Sequence, residues 1–466
     1  MLFSSITFLY YFLPIVIILY AVAPRKLKNT VILISSFVFY GWGEPRFLLL
    51  MLSTILVGYG LGLLMEITRS KAAKNLLVAF LVVISLGMLG YFKYADFFIT
   101  TINSIFGGNI SLLHIALPIG ISFYTFQMMS YVIDVYRGDV KAQKNIINLA
   151  AYITMFPQLI AGPIVRYKDI ELSLVSRTHS LNKISDGIRR FAIGLGKKVL
   201  IANTLGMLVE GYKITETPSV LYVWLYAISA SLQIYFDFSG YSDMAIGLGK
   251  LMGFDFPENF NYPYISGSVT EFWRRWHMTL GGWFRDYLYI PLGGNRVSKV
   301  RWIFNIFVVW MATGLWHGAS WNFVIWGLYF AVLLMFEKLI LLKYLDKTRV
   351  VGHIYLLLLV VVSFVIFDGA DLSESVNNIK MMFGLGQIPI WTDESMFMIF
   401  NYGFVIILAI VGASGLPAVL MHKLVSDKTI ARYVNVLEPV FIGFLLIVCT
   451  GFLVNGSFNP FLYFRF

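Results

Sequence analysis

Six histidines are the chain's candidates for moving a proton near neutral pH, because imidazole titrates near 6.5, within reach of both its forms. Their positions separate them. His179 and His422 lie among polar residues, His353 adjoins the basic stretch that ends at Arg349, and His114 begins an apolar segment. His277 stands at the border of an aromatic and a basic face, one turn after Arg274. His317 alone has long apolar sequence on both sides, in Gly314-Leu315-Trp316-His317-Gly318-Ala319-Ser320. An ionisable side chain at membrane depth is costly and is a functional hypothesis by default. An apolar site keeps imidazole neutral, as a general base requires. The same ring could instead donate to a backbone carbonyl freed by the glycine break. The residues alone leave those two roles evenly matched.

A second polar group is Asp237, Ser239 and Asp243, in Ile234-Tyr235-Phe236-Asp237-Phe238-Ser239-Gly240-Tyr241-Ser242-Asp243 at the end of an apolar run. Its acids can orient a histidine, pair with Arg274 or Arg275, or simply cap helix ends around Gly240. Asp134 and Arg137, one turn apart, suggest a helix-end ion pair. Gly194-Leu195-Gly196-Lys197-Lys198 and Gly247-Leu248-Gly249-Lys250 lack the spacing of a phosphate loop. Gly58, Gly60 and Gly62 suit close helix packing. No His, Glu or Cys cluster has zinc spacing, so no metal is expected. The single Cys449 excludes an internal disulfide.

The elements that position these residues must lie in a membrane. The 466 residues are 58% hydrophobic and 13% charged, about half the charge of a soluble domain. Apolar runs recur along the whole length, enough for roughly ten to twelve crossings at about 20 residues each. The expected fold is therefore an all-α polytopic membrane protein, and no repeat or long linker divides it, so residues 1–466 read as one domain. The first run has no Lys or Arg before it and reads as an uncleaved helix. Arg25, Lys26 and Lys28 follow it and put the N-terminus outside the cytoplasm. The other basic clusters, Arg69–Lys74, Arg137–Lys144, Arg166–Lys198, Arg274–Arg301 and Lys338–Arg349, mark cytoplasmic segments. A net charge of +11 is explained by orientation and anionic lipid without nucleic acid.

Three segments fail as ordinary spans. Asn145–Asp169 contains Phe156-Pro157-Gln158-Leu159-Ile160-Ala161-Gly162-Pro163, whose prolines break helix geometry and suggest a re-entrant segment. In Glu271–Ile290, Phe272, Trp273, Trp276, Leu280, Trp283, Phe284 and Tyr287 fall on one helical face, opposite Arg274, Arg275, Arg285 and Asp286. That pattern predicts an amphipathic helix lying in the interface, kinked at Gly281-Gly282. Trp302–Ile340 would be about 60 Å long as one helix, twice the hydrocarbon thickness, and must break at Gly314–Ser320. His317 then lies roughly 20 Å from the basic cluster that ends at Arg301.

These motifs together resemble a known family. Phe272-Trp273-Arg274-Arg275-Trp276-His277 and Trp283-Phe284-Arg285-Asp286-Tyr287-Leu288-Tyr289-Ile290-Pro291-Leu292-Gly293-Gly294-Asn295-Arg296 are similar to the signature of the alginate O-acetylation branch of the membrane-bound O-acyltransferases. So are Leu117–Gln127, Phe156–Pro163, Tyr235–Asp243, Gly314–Gly318, the opening Met1–Ser5 and the closing Phe461-Leu462-Tyr463-Phe464. The resemblance implies a ring of tilted helices around thin central segments, with a funnel or tunnel. It implies His317 as catalytic base and His277 as a second active-site residue. Phe367-Asp368-Gly369-Ala370-Asp371 departs from the Arg-containing segment usual in this branch.

The function expected from this resemblance is transfer of an acetyl group from cytoplasmic acetyl-CoA toward hydroxyls of an extracytoplasmic polysaccharide, with a partner acetyltransferase outside the cell membrane and no resident cofactor. Arg274, Trp276 and Trp316 would line the site, with Asp237 and Ser239 nearby, and Asn322 or freed backbone N–H groups would stabilise the oxyanion. D-alanyl transfer to teichoic acid is the nearest alternative, since those proteins share the aromatic-Arg-Arg-Trp-His core. A lipid O-acyltransferase and a non-enzymatic acetyl or polysaccharide transporter are the others.

Overall fold

The computed structural model describes residues 1–160, 162–345, 347–456 and 461–462. Ala161 of the proline-rich motif and Tyr463-Phe464 of the closing motif lie outside the described residues. Among the described residues the chain is helical, without strands, as expected where lipid cannot satisfy an exposed backbone. In order, the helices are α1 (Phe8–Val22), α2 (Lys28–Gly43), α3 (Pro45–Ile67), α4 (Lys71–Phe106), α5 (Ile121–Arg137), α6 (Ile146–Thr154), α7 (Phe156–Leu159), α8 (Tyr167–Val175), α9 (Leu181–Lys213) and α10 (Val220–Leu251). Then come α11 (Val269–Trp273), α12 (Met278–Phe284), α13 (Lys299–His317), α14 (Trp321–Leu345), α15 (Arg349–Asp368), α16 (Leu372–Met382), α17 (Asp393–Ala413), α18 (Leu416–Val425) and α19 (Lys428–Asn455).

Eight of the described helices, α3, α4, α9, α10, α14, α15, α17 and α19, are long and apolar enough to cross a membrane, and α1 and α18 are shorter apolar helices. The protein is a polytopic membrane protein. The spans differ in what they face. In α17 and α19 only 11% of the apolar window is buried, and Phe400, Phe404, Phe444 and Ile447 are exposed as lipid-facing residues are. In α9 and α10 the buried share is 61% and 67%, so these two are largely covered by protein.

Two compact units make up the chain. One comprises Met1–Phe191 with Ser242–Pro257. Its aromatic core joins Phe3, Phe8, Phe12, Phe39 and Phe156. Gly58 and Gly62, four apart on α3, admit Met128 and Tyr131 of α5: an added Cβ would lie 1.5 Å from the Met128 sulfur and 2.6 Å from the Tyr131 hydroxyl. Gly60, on the opposite face, meets nothing within 4 Å, so the packing reading holds for two of those three glycines. The proline-rich segment is the expected interruption. α7 is four residues long, and side chains serve the backbone at its start and after it: Ser36 Oγ accepts from the Phe156 N–H and the Tyr152 hydroxyl donates to the Val165 carbonyl. Asp134 is buried and pairs with Lys168 at 3.6 Å.

The other unit comprises Ala192–Tyr241 and Glu258–Phe466. Its core is built largely from aromatic rings of α10, α11, α14 and α15, among them Tyr235, Phe272, Trp326, Phe330 and Phe364, with Trp276 from the turn after α11. The overlong apolar segment breaks where expected, with α13 ending at His317 and α14 starting at Trp321. The two helices turn back on each other at glycines. A Cβ on Gly314 would sit 2.2 Å from the Phe323 carbonyl oxygen, and one on Gly327 would sit 2.3 Å from that of Trp310. Only glycine allows backbones this close.

Glu271–Ile290 is not one amphipathic helix. It breaks at Arg274–His277, before the Gly281-Gly282 pair, which lies inside α12 with open space around it. Its aromatic face does not lie in the lipid interface either. Phe272, Trp276, Leu280, Trp283 and Phe284 are buried in the protein. Helical periodicity shows that a face is apolar, but not whether lipid or protein covers it.

Candidate active site

The break between α11 and α12 is built to hold His277. Ser268 caps α11, and the buried Glu337 carboxylate accepts from the Val269 N–H at 2.6 Å, the Thr270 N–H at 2.8 Å and the Thr270 hydroxyl at 2.7 Å. A carboxylate is favoured at such an N-terminus by the free N–H groups and the dipole. The chain then turns, and segment 259–261 runs beside it: the Asn261 N–H donates to the Arg275 carbonyl and the Met278 N–H to the Asn259 carbonyl, each at 2.9 Å. Between these bonds His277 adopts φ +44°, a left-handed conformation that costs a non-glycine residue about 1–2 kcal/mol.

The His277 ring is 1% exposed and its Nδ1 lies 3.0 Å from Asn259 Oδ1. Its Nε2 has no hydrogen-bond partner among the described residues. Burial first, and the neighbouring His317 second, hold its pKa well below the usual histidine value, so the ring is neutral and can accept at Nε2. The two histidine rings are 6.4 Å apart between centroids. His317 is 5% exposed at the end of α13, boxed by Trp316 at 5.1 Å, Trp326 at 5.1 Å and Phe367 at 5.4 Å.

Each histidine lines its own cavity. His277 faces a space of about 280 Å³ with Arg274, Arg285, Lys338, Thr313 and Trp273. Neither Arg274 nor Lys338 has a carboxylate within ion-pair distance among the described residues, whereas Arg285 pairs with Asp286. His317 faces a space of about 30 Å³, room for a water-sized group, together with Asp237, Trp276, Phe364, Phe461 and Leu462. The histidine pair thus stands between a roomy cationic cavity and a tight apolar one. An imidazole beside each allows proton transfer to or from a group in either.

The comparisons with known proteins identify the family. The sequence profile of the membrane-bound O-acyltransferase family matches residues 141–368, which include both histidines. The probable alginate O-acetylase of Pseudomonas aeruginosa is 45% identical over 393 residues, covering 83% of this chain and 75% of that protein. This chain belongs to the membrane-bound O-acyltransferase family. The peptidoglycan O-acetyltransferase of Helicobacter pylori is 32% identical over 84% of this chain and 81% of its own length. The teichoic acid D-alanyltransferase of Bacillus subtilis is 33% identical over 47% of this chain and 60% of its own length.

Within this O-acyltransferase, the residues expected at the site are brought together unevenly. Arg274 lines the larger cavity and Trp276 the smaller, and Trp316 touches both histidine rings, 5.8 Å from His277. Asp237 lines the smaller cavity, but it neither pairs with Arg274 or Arg275 nor caps a helix. It forms a fully buried ion pair with Lys198 and accepts from the Leu462 N–H at 2.9 Å. The reason is that α10 runs unbroken past Gly240, where a Cβ would meet the Gly194 carbonyl at 2.7 Å, so α9 comes close enough to bring Lys198 alongside. Asp243 pairs with Arg190 instead.

Ser239 is buried but lines neither cavity. Two residues on a helix are about 200° apart, so it points away from the face that Asp237 occupies. Asn322 is committed elsewhere too: its amide donates to the Gly369 carbonyl at 2.7 Å and lies 3.5 Å from Ser375 Oγ. It braces the turn between α15 and α16 and is not a free oxyanion donor. Three residues that matter here were assigned otherwise or passed over. Lys198 and Glu337 stood at or beside basic clusters read as cytoplasmic, although both sit next to apolar helical sequence, and Asn259 carried no motif of its own.

Proposed function

We propose that this enzyme takes an acetyl group from acetyl-CoA on the cytoplasmic side and passes it toward hydroxyls of an extracytoplasmic polysaccharide. The observation that carries the reading is the buried histidine pair between two unlike cavities. The larger cavity suits the donor. Its Arg274 and Lys338 can meet phosphate charge, and its apolar walls can take the thioester arm. The acceptor hydroxyl belongs in the space beside His317. His317 takes the hydroxyl proton as the oxygen attacks the thioester carbonyl, forming the new C–O bond. The tetrahedral intermediate then expels the thiolate, which takes the proton back from His317 and leaves as free CoA. His277, which lines the larger cavity with an open Nε2, accepts a hydrogen bond from an N–H of the acetyl donor and so orients it. Trp316 keeps both rings in register.

Acetyl is favoured over D-alanyl because the acetylase relatives are similar over more than four-fifths of the chain and the D-alanyltransferase over less than half. A partner acetyltransferase would receive the group outside and complete the transfer. Arg25 and Lys26 are exposed after α1, which supports an extracytoplasmic N-terminus.

The test is His317→Ala in the native host. Exopolysaccharide acetylation should fall to background while the protein reaches the membrane in normal amount, and membranes given labelled acetyl-CoA should no longer release free CoA. Normal acetylation by that variant overturns the mechanism. Acetyl passage without CoA release by the wild type would make the protein a transporter.

A further inference from the structure

We infer that Asn259 is a positioning residue for the reaction: it sets the tautomer of His277 and aims its Nε2 into the site. The inference rests on the reading of His277 as part of the active site. Asn259 is 1% exposed and opens the segment that clamps the α11–α12 break. Its side-chain oxygen receives three groups: the Thr279 backbone N–H at 3.3 Å, the Thr279 hydroxyl at 2.8 Å and His277 Nδ1 at 3.0 Å. A backbone N–H can only donate, so the atom it meets must be the amide oxygen and not the amide nitrogen. His277 Nδ1 therefore faces an acceptor and must itself carry the proton. In the neutral ring that leaves Nε2 as the bare nitrogen.

The arrangement has a second part. The Asn259 carbonyl accepts from the Met278 N–H at 2.9 Å, directly after the strained φ of His277. One residue thus holds the backbone beyond the histidine and the ring nitrogen, and the conformation persists because its surroundings determine it twice over. The other groups facing the ring fix nothing about its proton. Phe238 from α10 packs edge-on at 4.6 Å and Phe260 lies at 6.5 Å. His317 from α13 is the titratable group opposite, and Arg274, Arg285 and Lys338 share the larger cavity.

The experiment reads the tautomer and the reaction separately. Full-length protein with ¹⁵N-labelled histidine, in detergent, is compared by NMR with a His277→Gln sample that identifies the His277 signals. The wild type should show a protonated Nδ1 and a bare Nε2. Asn259→Ala should mix the tautomers and lower kcat about 10²-fold, the scale of a misdirected acid–base group, with KM for acetyl-CoA within about twofold. Asn259→Asp keeps the acceptor oxygen, so it should keep the tautomer and recover part of the rate. Its carboxylate favours the imidazolium, so the acid limb of its pH–rate profile should move to higher pH than in the wild type. A wild-type ring protonated at Nε2, or an Asn259→Ala ring and pH profile unchanged from wild type, overturns the inference. The tautomer readout needs no substrate: if it moves as expected while His277→Ala transfers normally, the role of His277 falls and the assignment of Asn259 stands.

Discussion

The crossing of α13 and α14 offers the sharpest test of how the fold places His317. In Gly314→Ala the new Cβ would lie 2.2 Å from the Phe323 carbonyl oxygen, against an ordinary contact of at least 3.4 Å, so the helices must part by about 1.2 Å. The atom in the way is backbone and cannot swing aside as a side chain would. Overpacking of this kind costs about 1–3 kcal/mol, which a polytopic protein should survive. His317 lies three residues further along the same helix, so a shift of about 1 Å at the crossing reaches its ring nearly undiminished. Misplacing a reacting group by about 1 Å costs on the order of 10²-fold in rate. Gly314→Ala should therefore accumulate, unfold at a moderately lower temperature in detergent, and release CoA from labelled acetyl-CoA about 10²-fold more slowly than wild type. Gly60→Ala is the control, since its Cβ meets nothing within 4 Å, and it should leave the rate unchanged. A folded Gly314→Ala protein with the wild-type rate would refute the claim that this crossing positions the histidine.

Two further outcomes follow from the same interior. Lys198→Met strands the Asp237 carboxylate in a site where both partners are about 3% exposed or less, and breaking such a pair costs about 3–5 kcal/mol; adding Asp237→Leu should restore most of the loss, as read by thermal unfolding in detergent. Asn322→Ala removes a donor from the Gly369 carbonyl, which should cost about 1–3 kcal/mol of stability and leave the transfer rate of the folded protein within a fewfold. A loss of 10²–10³-fold, the mark of an oxyanion donor, would restore Asn322 to the chemistry.

What the sequence determined is what depends on hydrophobicity and on glycine. The membrane class follows from apolar runs too numerous for a soluble core. The break before Trp321 follows from a segment twice too long for the bilayer, and the isolation of His317 from apolar sequence on both sides. Family motifs covered both histidines as well. Tertiary structure decided the pairings. Asp237 meets Lys198 because Gly194 and Gly240 let α9 and α10 touch, a contact between residues 39 apart that no local pattern announces. Asn322 turns to Gly369, and Glu337 leaves its basic neighbours to cap α11. The aromatic face of Glu271–Ile290 was legible as a face, but its covering was not, because lipid and a protein core are equally apolar to a helical period. His277 shows the division most clearly: the sequence placed it among tryptophans and arginines, and only the fold, through a left-handed backbone and the oxygen of Asn259, says which of its nitrogens is open.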